Sequence, residues 1–210
     1  MFTGIITDMG VIKSITRTQG QKPQGEWGGD TRMEVTCAYD TAGIDIGASI
    51  SHSGACMTVI EKGRNWYAIE VSDESLSKTT MGGWTAGTSI NLERALTGQD
   101  EMGGHLVTGH VDGVGSLLSI NEAAGSHRLR FRAPESMAFG IAPKGSITID
   151  GVSLTVNDVE GAEFDVNIIS HTWQVTTLGK LSPGDKVNLE IDLIARYVAR
   201  YLQHQLKRNP

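Results

Sequence analysis

The chain has 210 residues, 39% of them hydrophobic and 20% charged, with a formal net charge of -6 and two cysteines. That composition excludes a disordered chain and a disulfide scaffold, and the acidic balance, with no basic cluster beyond Lys207-Arg208, argues against a nucleic-acid partner. No apolar run approaches the ~20 residues that cross a bilayer, and Met1-Phe2-Thr3-Gly4 lacks the basic start of a signal peptide, so no membrane association is expected and a cytoplasmic location is the default.

In chain order, Gly4 to Ile15 reads as a strand, and the stretch from Gly20 to Asp30, with Pro23 and four glycines, reads as a loop. Strands follow at Ala48 to His52, Met57 to Glu61, Trp66 to Val71 and Ser89 to Glu93, with a helical turn over Asp73 to Ser77. The second half offers strands at Gly109 to Ile120, Ser146 to Ile149, Leu154 to Val159, Phe164 to Ile169 and Lys186 to Ile191. A turn over Pro134 to Phe139 is opened by a proline at a favourable first-turn position. Short runs of Val, Ile and Thr, punctuated by Gly, Asp and Asn every eight to twelve residues, are the pattern of small antiparallel barrels, with about six strands per half. From Leu193 the pattern changes. Ile194, Tyr197, Val198, Tyr201 and Leu202 recur at three- and four-residue spacing while Arg196, Arg200, Gln203 and Lys207 take the other face, which predicts an amphipathic helix. It has no counterpart in the first half, so self-association is its natural use, with packing back on its own barrels as the alternative.

Residues 54 to 59 read GACMTV and residues 151 to 156 read GVSLTV, a shift of 97 positions. The same shift aligns Ser49-Ile50 with Ser146-Ile147, Thr79 to Gly82 with Thr176 to Gly179, and Asn91-Leu92-Glu93 with Asn188-Leu189-Glu190. Upstream, Thr3-Gly4-Ile5-Ile6 finds its echo in Thr108-Gly109-His110-Val111 at a shift of 105. The chain is therefore a duplication of one domain-sized unit, divided here as 1–105, 106–192 and the terminal helix 193–210.

Along each repeated strand, Cys56 and Thr58 point to one face, as do Ser153 and Thr155, while Met57 and Leu154 point to the other. Cys56 as a small buried hydrophobe and Ser153 as a hydroxyl bonded to backbone is the plain alternative to a chemical role. His105 and His110 stand five apart, on opposite faces of a regular strand, so a shared metal is not expected, and no HExxH or Cys-His set occurs. Each ring could serve structure, proton transfer or ligand binding. His52, His127 and His204 read as surface residues. Ser53, Asp100 and His105 have the residue types of a hydrolase triad without a GxSxG elbow, and GGHLVTGHVDGVG lacks dinucleotide-binding spacing.

Taken together, Met1-Phe2-Thr3-Gly4-Ile5, GASISHSGACMTV (47 to 59), GGHLVTGH (103 to 110), IDGVSLTV (149 to 156), and His171-Thr172 followed by Thr176-Thr177-Leu178-Gly179 resemble the riboflavin synthase alpha-chain family over nearly the whole chain. The resemblance implies an all-β fold of two tandem six-stranded Greek-key barrels plus a C-terminal oligomerisation helix that joins three chains. It implies a dismutation of two 6,7-dimethyl-8-ribityllumazine molecules, one giving a four-carbon unit to the other, with no metal or redox cofactor. Carried over, it sets one lumazine against Gly4, Ile5, Ile6, Cys56, Met57, Thr58, Glu70, Val71, Ser72, Asp73, Glu74 and Ser75 of the first barrel. The other lies against Gly109, His110, Val111, Lys144, Ser153, Leu154, Thr155, Asn167, Ile168, Ile169, Ser170, His171 and Thr172 of the second. Ser153, or a water it holds, is expected to add at carbon 7 of one lumazine, His105 or His110 to carry protons, and Cys56 to assist from the opposite side. Phe2 is expected to pack over the ring system. Ala55 stands where some members have a second cysteine, and His171 stands opposite Glu74, so the two pockets differ chemically. A non-catalytic lumazine- or flavin-binding protein is the alternative. The polar set in both halves and the terminal helix distinguish an enzyme from it.

Overall fold

Alternation of apolar and polar residues along short β-branched runs closes this chain on itself twice. The computed structural model describes residues 1–17, 31–123 and 125–208, so the loop expected from Gly20 to Asp30 lies outside the described residues. Strands β1 (Asp8–Arg17), β2 (Thr31–Thr36), β3 (Ser49–His52), β4 (Ala55–Gly63), β5 (Trp66–Val71) and β6 (Ser89–Arg94) form one closed antiparallel barrel in the order β1-β2-β5-β4-β3-β6. Strands β7 (Gly113–Ala123), β8 (Ser126–Arg132), β9 (Ser146–Ile149), β10 (Val152–Glu160), β11 (Glu163–Ile169) and β12 (Lys186–Ile191) form the second with the same connectivity. Three hairpin-linked strands followed by one that returns beside the first make each barrel a Greek key. Closure leaves no unpaired sheet edge.

The inward positions are those the alternation selects. Thr31, Met33 and Val35 of β2 are buried while their neighbours are half-exposed, and the first core gathers Ile12, Val59, Ile69 and Leu92 around them. The second core is built on Leu117, Leu129, Ile147, Val166 and Leu189, with Phe131 and Phe164 stacked at 5.8 Å between ring centroids. His52 departs from its expected surface position. It is fully buried, with Nδ1 3.0 Å from the Ile50 carbonyl and Nε2 2.8 Å from the Tyr67 hydroxyl. Burial holds its pKa down to about 4, so it packs as a neutral, hydrogen-bonded core residue. His127 is half-buried and stacks on Trp173 at 3.8 Å.

Among the described residues, three α-helices decorate the barrels. The expected turn at Asp73 is α1 (Asp73–Lys78), capped by Ser72, whose hydroxyl accepts the Ser75 amide at 3.2 Å. Its equivalent α2 (Ser170–Val175) was not evident in the sequence, because Ile169 holds the cap position and gives no side-chain cap. The turn expected after Pro134 is a 3₁₀ segment, Glu135–Gly140. The terminal helix α3 (Leu193–Arg208) runs 16 residues, and among the described residues no helix is long and apolar enough to cross a membrane.

The barrels meet across a pseudo-twofold seam. The Asn91 side chain donates to the Asp150 carbonyl at 2.9 Å and accepts the Thr177 amide at 2.8 Å. Asn188 reciprocates by donating to the Ser53 carbonyl and accepting the Thr80 amide, both at 2.8 Å. Each asparagine thus satisfies backbone groups of the opposite barrel that burial would otherwise orphan, at a cost of about 1–3 kcal/mol apiece if left unpaired. At the axis, Gly54 and Gly151 face each other so closely that a Cβ on Gly151 would sit 2.8 Å from the Gly54 nitrogen.

Candidate functional site

The segments before β1 and β7 are not strands, although the sequence pattern ran the strands back to Gly4 and Gly109. They are arms. Phe2 and Val107 pair with each other as an isolated antiparallel bridge, with amide-to-carbonyl distances of 2.8 and 3.1 Å. Phe2 is fully buried in this seam and does not lie open over a pocket as expected.

A buried glutamate at the end of a barrel strand grips each arm. Glu93 Oε1 accepts the Thr3 amide and hydroxyl, each at 2.7 Å, and Oε2 accepts the Gly4 amide at 2.9 Å. Glu190 Oε1 accepts the Thr108 amide at 2.7 Å and hydroxyl at 2.6 Å, and Oε2 accepts the Gly109 and His110 amides at 3.0 and 3.1 Å. Burial raises both carboxyls above their ordinary range, and the donated hydrogen bonds oppose that rise.

The arms then cross between barrels. The Gly4 carbonyl accepts the Ser153 amide of β10 at 2.8 Å, and the Gly109 carbonyl accepts the Cys56 amide of β4 at 2.8 Å. Ile6 packs against the second core and Val111 against the first. The resemblance grouped Gly4, Ile5 and Ile6 with Cys56, and Gly109, His110 and Val111 with Ser153; in the fold Gly4 bonds to Ser153 and Gly109 to Cys56. Gly4 and Gly109 take φ of +77° and +79°, and a Cβ there would stand 2.5 Å from Ser153 Cβ and 2.6 Å from Cys56 Cβ. Only glycine lets the arm lie that close to the pocket strand.

On the pocket strands the expected alternation holds. Cys56 and Ser153 are half-buried, Thr58 and Thr155 exposed, and Met57 and Leu154 lean on the two cores. Ser153 lies opposite Thr148 in the β9 register, as Cys56 lies opposite Ser51 in β3. His105, half-buried in the linker between barrels, places Nδ1 2.7 Å from Ser153 Oγ and Nε2 3.3 Å from Thr148 Oγ1. Burial lowers its pKa, with Asp192 pulling weakly the other way, so the neutral ring is favoured. A hydroxyl hydrogen-bonded to a neutral imidazole can be deprotonated as it attacks, or can hold a water that is.

The fold therefore joins Ser153 to His105 and leaves His110 apart, its amide gripped by Glu190 and its side chain exposed on the arm beside Cys56. Lys144 is exposed and held at φ +66°, where the first repeat has Gly47 at +89°. A lysine kept in the left-handed region costs about 1–2 kcal/mol, which points to a use for its side chain. Where β5 and β11 end and their helices begin, Glu70, Ser72, Asp73 and Glu74 are exposed and Ser75 half-buried, whereas Val71 and Ile168 belong to the cores. Asn167 accepts a hydrogen bond from Ser126 at 3.1 Å, Ser170 donates to the Gly125 carbonyl at 2.7 Å, Ile169 and His171 are exposed, and Thr172 is half-buried. Glu93, Glu190 and Thr148 were missed as site residues. The repeat had aligned the two glutamates, and a glutamate directly after a core leucine near the end of the last strand of each copy was the available signal.

Comparison with known proteins places this geometry. The family model of the lumazine binding domain matches residues 3–95 and again 108–192. A riboflavin synthase of Brucella abortus (strain 2308) is 48% identical over 210 residues, covering 98% of this chain and 100% of its own length. One from Photobacterium phosphoreum is 39% identical over 203 residues, covering 96% and 89% respectively. Among solved structures, LumP complexed with riboflavin superposes with a TM-score of 0.80 at 23% identity, over 91% of this chain and 99% of that one, a likeness of fold.

Proposed function

The chain belongs to the riboflavin synthase family, its lumazine-binding domain present twice, and from that premise we propose how its residues carry out the dismutation of two 6,7-dimethyl-8-ribityllumazine molecules to riboflavin and 5-amino-6-(D-ribitylamino)uracil. One lumazine is held by each template: Cys56, Met57 and Thr58 under the Gly109 arm, and Ser153, Leu154 and Thr155 under the Gly4 arm. Holding two like heterocycles in reactive contact supplies a large part of the rate, up to about 7–11 kcal/mol in well-oriented models. The 7-methyl group of a lumazine is acidic because its carbanion delocalises into the pteridine, so a weak base suffices. The oxygen of Ser153, or of a water it holds, adds at carbon 7 of one lumazine while His105 Nδ1 takes its proton, and the proton returns when that oxygen leaves. No cofactor enters these steps.

The single observation that carries this reading is the crossed pair of arms, one bonded to Ser153 beside His105 and the other to Cys56. A protein that only binds lumazine needs one pocket and no such proton acceptor. The exposed apolar stripe of α3, with Ile194, Tyr197, Tyr201, Leu202 and Leu206 uncovered, supports a homotrimer in which pockets of neighbouring chains meet. A cytoplasmic location fits a soluble, cofactor-free reaction of this kind.

Incubating the purified protein with 6,7-dimethyl-8-ribityllumazine alone should produce riboflavin absorbance. Bound but unconverted lumazine would return the chain to the alternative of a non-catalytic lumazine- or flavin-binding protein. Replacing Ser153 with Ala should reduce kcat about 10²-fold or more while leaving lumazine affinity nearly intact, because a transition-state contact is lost and the pocket is kept. An unchanged rate would remove Ser153 from its role.

A further inference from the structure

We propose that Thr148 is a positioning residue that fixes the tautomer of His105, leaving Nδ1 free to accept the proton of Ser153. The inference rests on the reading of Ser153 and His105 given above. Thr148 is 1% exposed, sits directly across the β9–β10 register from Ser153, and meets the far nitrogen of the ring that Ser153 meets at the near one.

A neutral imidazole has one N–H, and which nitrogen carries it decides whether the ring can act as a base toward Ser153. If Nδ1 carried it, the ring would donate to Ser153 Oγ and could take nothing from it. If Nε2 carries it, Thr148 Oγ1 is the acceptor and the Nδ1 lone pair faces the serine hydroxyl. The second arrangement is the one that the chemistry at Ser153 requires, and both contacts admit it: 2.7 Å at Nδ1 suits a hydroxyl donor, and 3.3 Å at Nε2 is a long contact to Thr148 Oγ1. Thr148 therefore plays the part toward His105 that an orienting carboxylate plays in other hydroxyl and imidazole pairs, with a neutral oxygen in place of an anion. It leaves the ring correctly turned without stabilising its protonated form as strongly as a charge would.

The arrangement is built in one barrel only. Ser51, the counterpart of Thr148, lies in the same register against Cys56, and among the described residues no histidine hydrogen-bonds to either of them. The repeat kept a hydroxyl at both places, but the ring that uses it comes from the linker, which only the Ser153 pocket receives.

Two measurements test this on the intact chain. In protein labelled with ¹⁵N-histidine, the His105 resonances, assigned by their loss in His105→Gln, should show the Nε2–H tautomer at neutral pH; an Nδ1–H ring would overturn the proposal. In Thr148→Val, kcat should fall about tenfold, the scale of one net hydrogen bond, with KM and riboflavin affinity within about twofold, and Thr148→Ser should restore both rate and tautomer. A Thr148→Val enzyme with wild-type kcat and an unchanged tautomer would refute the role, as would a loss that Thr148→Ser fails to rescue. Should Thr148→Val not fold, the wild-type tautomer and the serine variant still decide. Failure of the wild-type protein to convert lumazine would instead sink the proposed reaction, a result read separately from the ring's tautomer.

Discussion

The amide of Ser153 donates to the carbonyl of Gly4 at 2.8 Å, so the first arm of the chain forms the wall of the second barrel's pocket. With the reciprocal bond from Cys56 to Gly109, neither pocket is complete within its own repeat. Duplication alone would give two independent barrels. Exchange of the arms couples the two barrels mechanically, because anything that moves Gly4 moves Ser153, and anything that moves Gly109 moves Cys56.

Replacing Gly4 with Ala should therefore damage turnover more than folding. The left-handed backbone there costs an alanine about 1–2 kcal/mol, and its Cβ would meet Ser153 Cβ at 2.5 Å and the Ser153 nitrogen at 2.7 Å. The strand must retreat, and a displacement of about 1 Å at a reacting group costs on the order of 10²-fold in rate. The control is Gly83→Ala, where a Cβ meets nothing within 4 Å. Kinetics and thermal melts of the pair check the difference; equal turnover in the two would show that the arm does not position Ser153.

The glutamate clamps predict a pocket-specific effect. In Glu190→Gln an amide NH₂ replaces an oxygen that accepts two donors, whichever way the side chain turns, since both oxygens are doubly engaged. The unmet donors cost about 1–3 kcal/mol. The freed arm should weaken ligand binding beside Cys56 while leaving the His105 ring beside Ser153 unperturbed. Riboflavin titration together with the histidine spectrum of the variant measures both effects; a shifted His105 signal with unchanged affinity would contradict the assignment of clamp to pocket.

Asp150 gives the protein a pH signature. It lies buried in the inter-barrel seam, where Oδ1 accepts the Asn188 amide at 2.8 Å, and burial pushes its pKa up to about 7 against the opposing hydrogen bond from that amide. The first repeat solves the same problem with a neutral group, the Ser53 hydroxyl accepting the Asn91 amide at 3.2 Å. A carboxyl whose folded pKa exceeds its unfolded value of about 3.9 contributes stability that is complete below pH 4 and is lost as pH rises toward 7, at roughly 1.4 kcal/mol per pH unit. Asp150→Asn keeps the acceptor oxygen and removes the titration. Denaturant unfolding at pH 5 and pH 8 should show the variant gaining on the wild type at the higher pH; a difference that is the same at both would mean that Asp150 ionises freely in the fold.

How much of this was legible in the sequence depends on whether a feature is local. The 97-residue shift and the alternation along residues 54–59 and 151–156 specify strand faces, because side-chain period and burial go together in a closed barrel. So does the three- and four-residue spacing after Leu193. What the sequence could not display is which segment covers which barrel. Thr3-Gly4 and Thr108-Gly109 look alike in the repeat, and their exchange is a property of chain crossing that no local pattern encodes. His52 was misread for a similar reason: its partner Tyr67 stands 15 residues on, and only the β3–β4–β5 meander brings the hydroxyl to the ring. Thr148 became visible only when register set it against Ser153 and the linker delivered His105 between them.

The terminal helix carries the last prediction. Its barrel-facing side is fixed by the ion pair of Arg196 with Asp112 at 2.9 Å and by a groove that Ala195, Val198 and Ala199 share with Phe139 and Gly140. Its apolar stripe still leaves Ile194, on the rim of that groove, 70% and Leu206 73% exposed. Burying that stripe against two other copies would gain on the order of 25 cal/mol per Å² of apolar area, and among the described residues nothing covers it. Deleting residues 193–210 should therefore give a folded monomer by sedimentation, since both barrel cores are complete without the helix. It should still bind riboflavin but turn lumazine over far more slowly, because paired pockets from neighbouring chains would no longer be held together. A truncated protein that sediments as a trimer would put the association surface on the barrels, and a monomer with undiminished kcat would mean that the two lumazines meet within one chain.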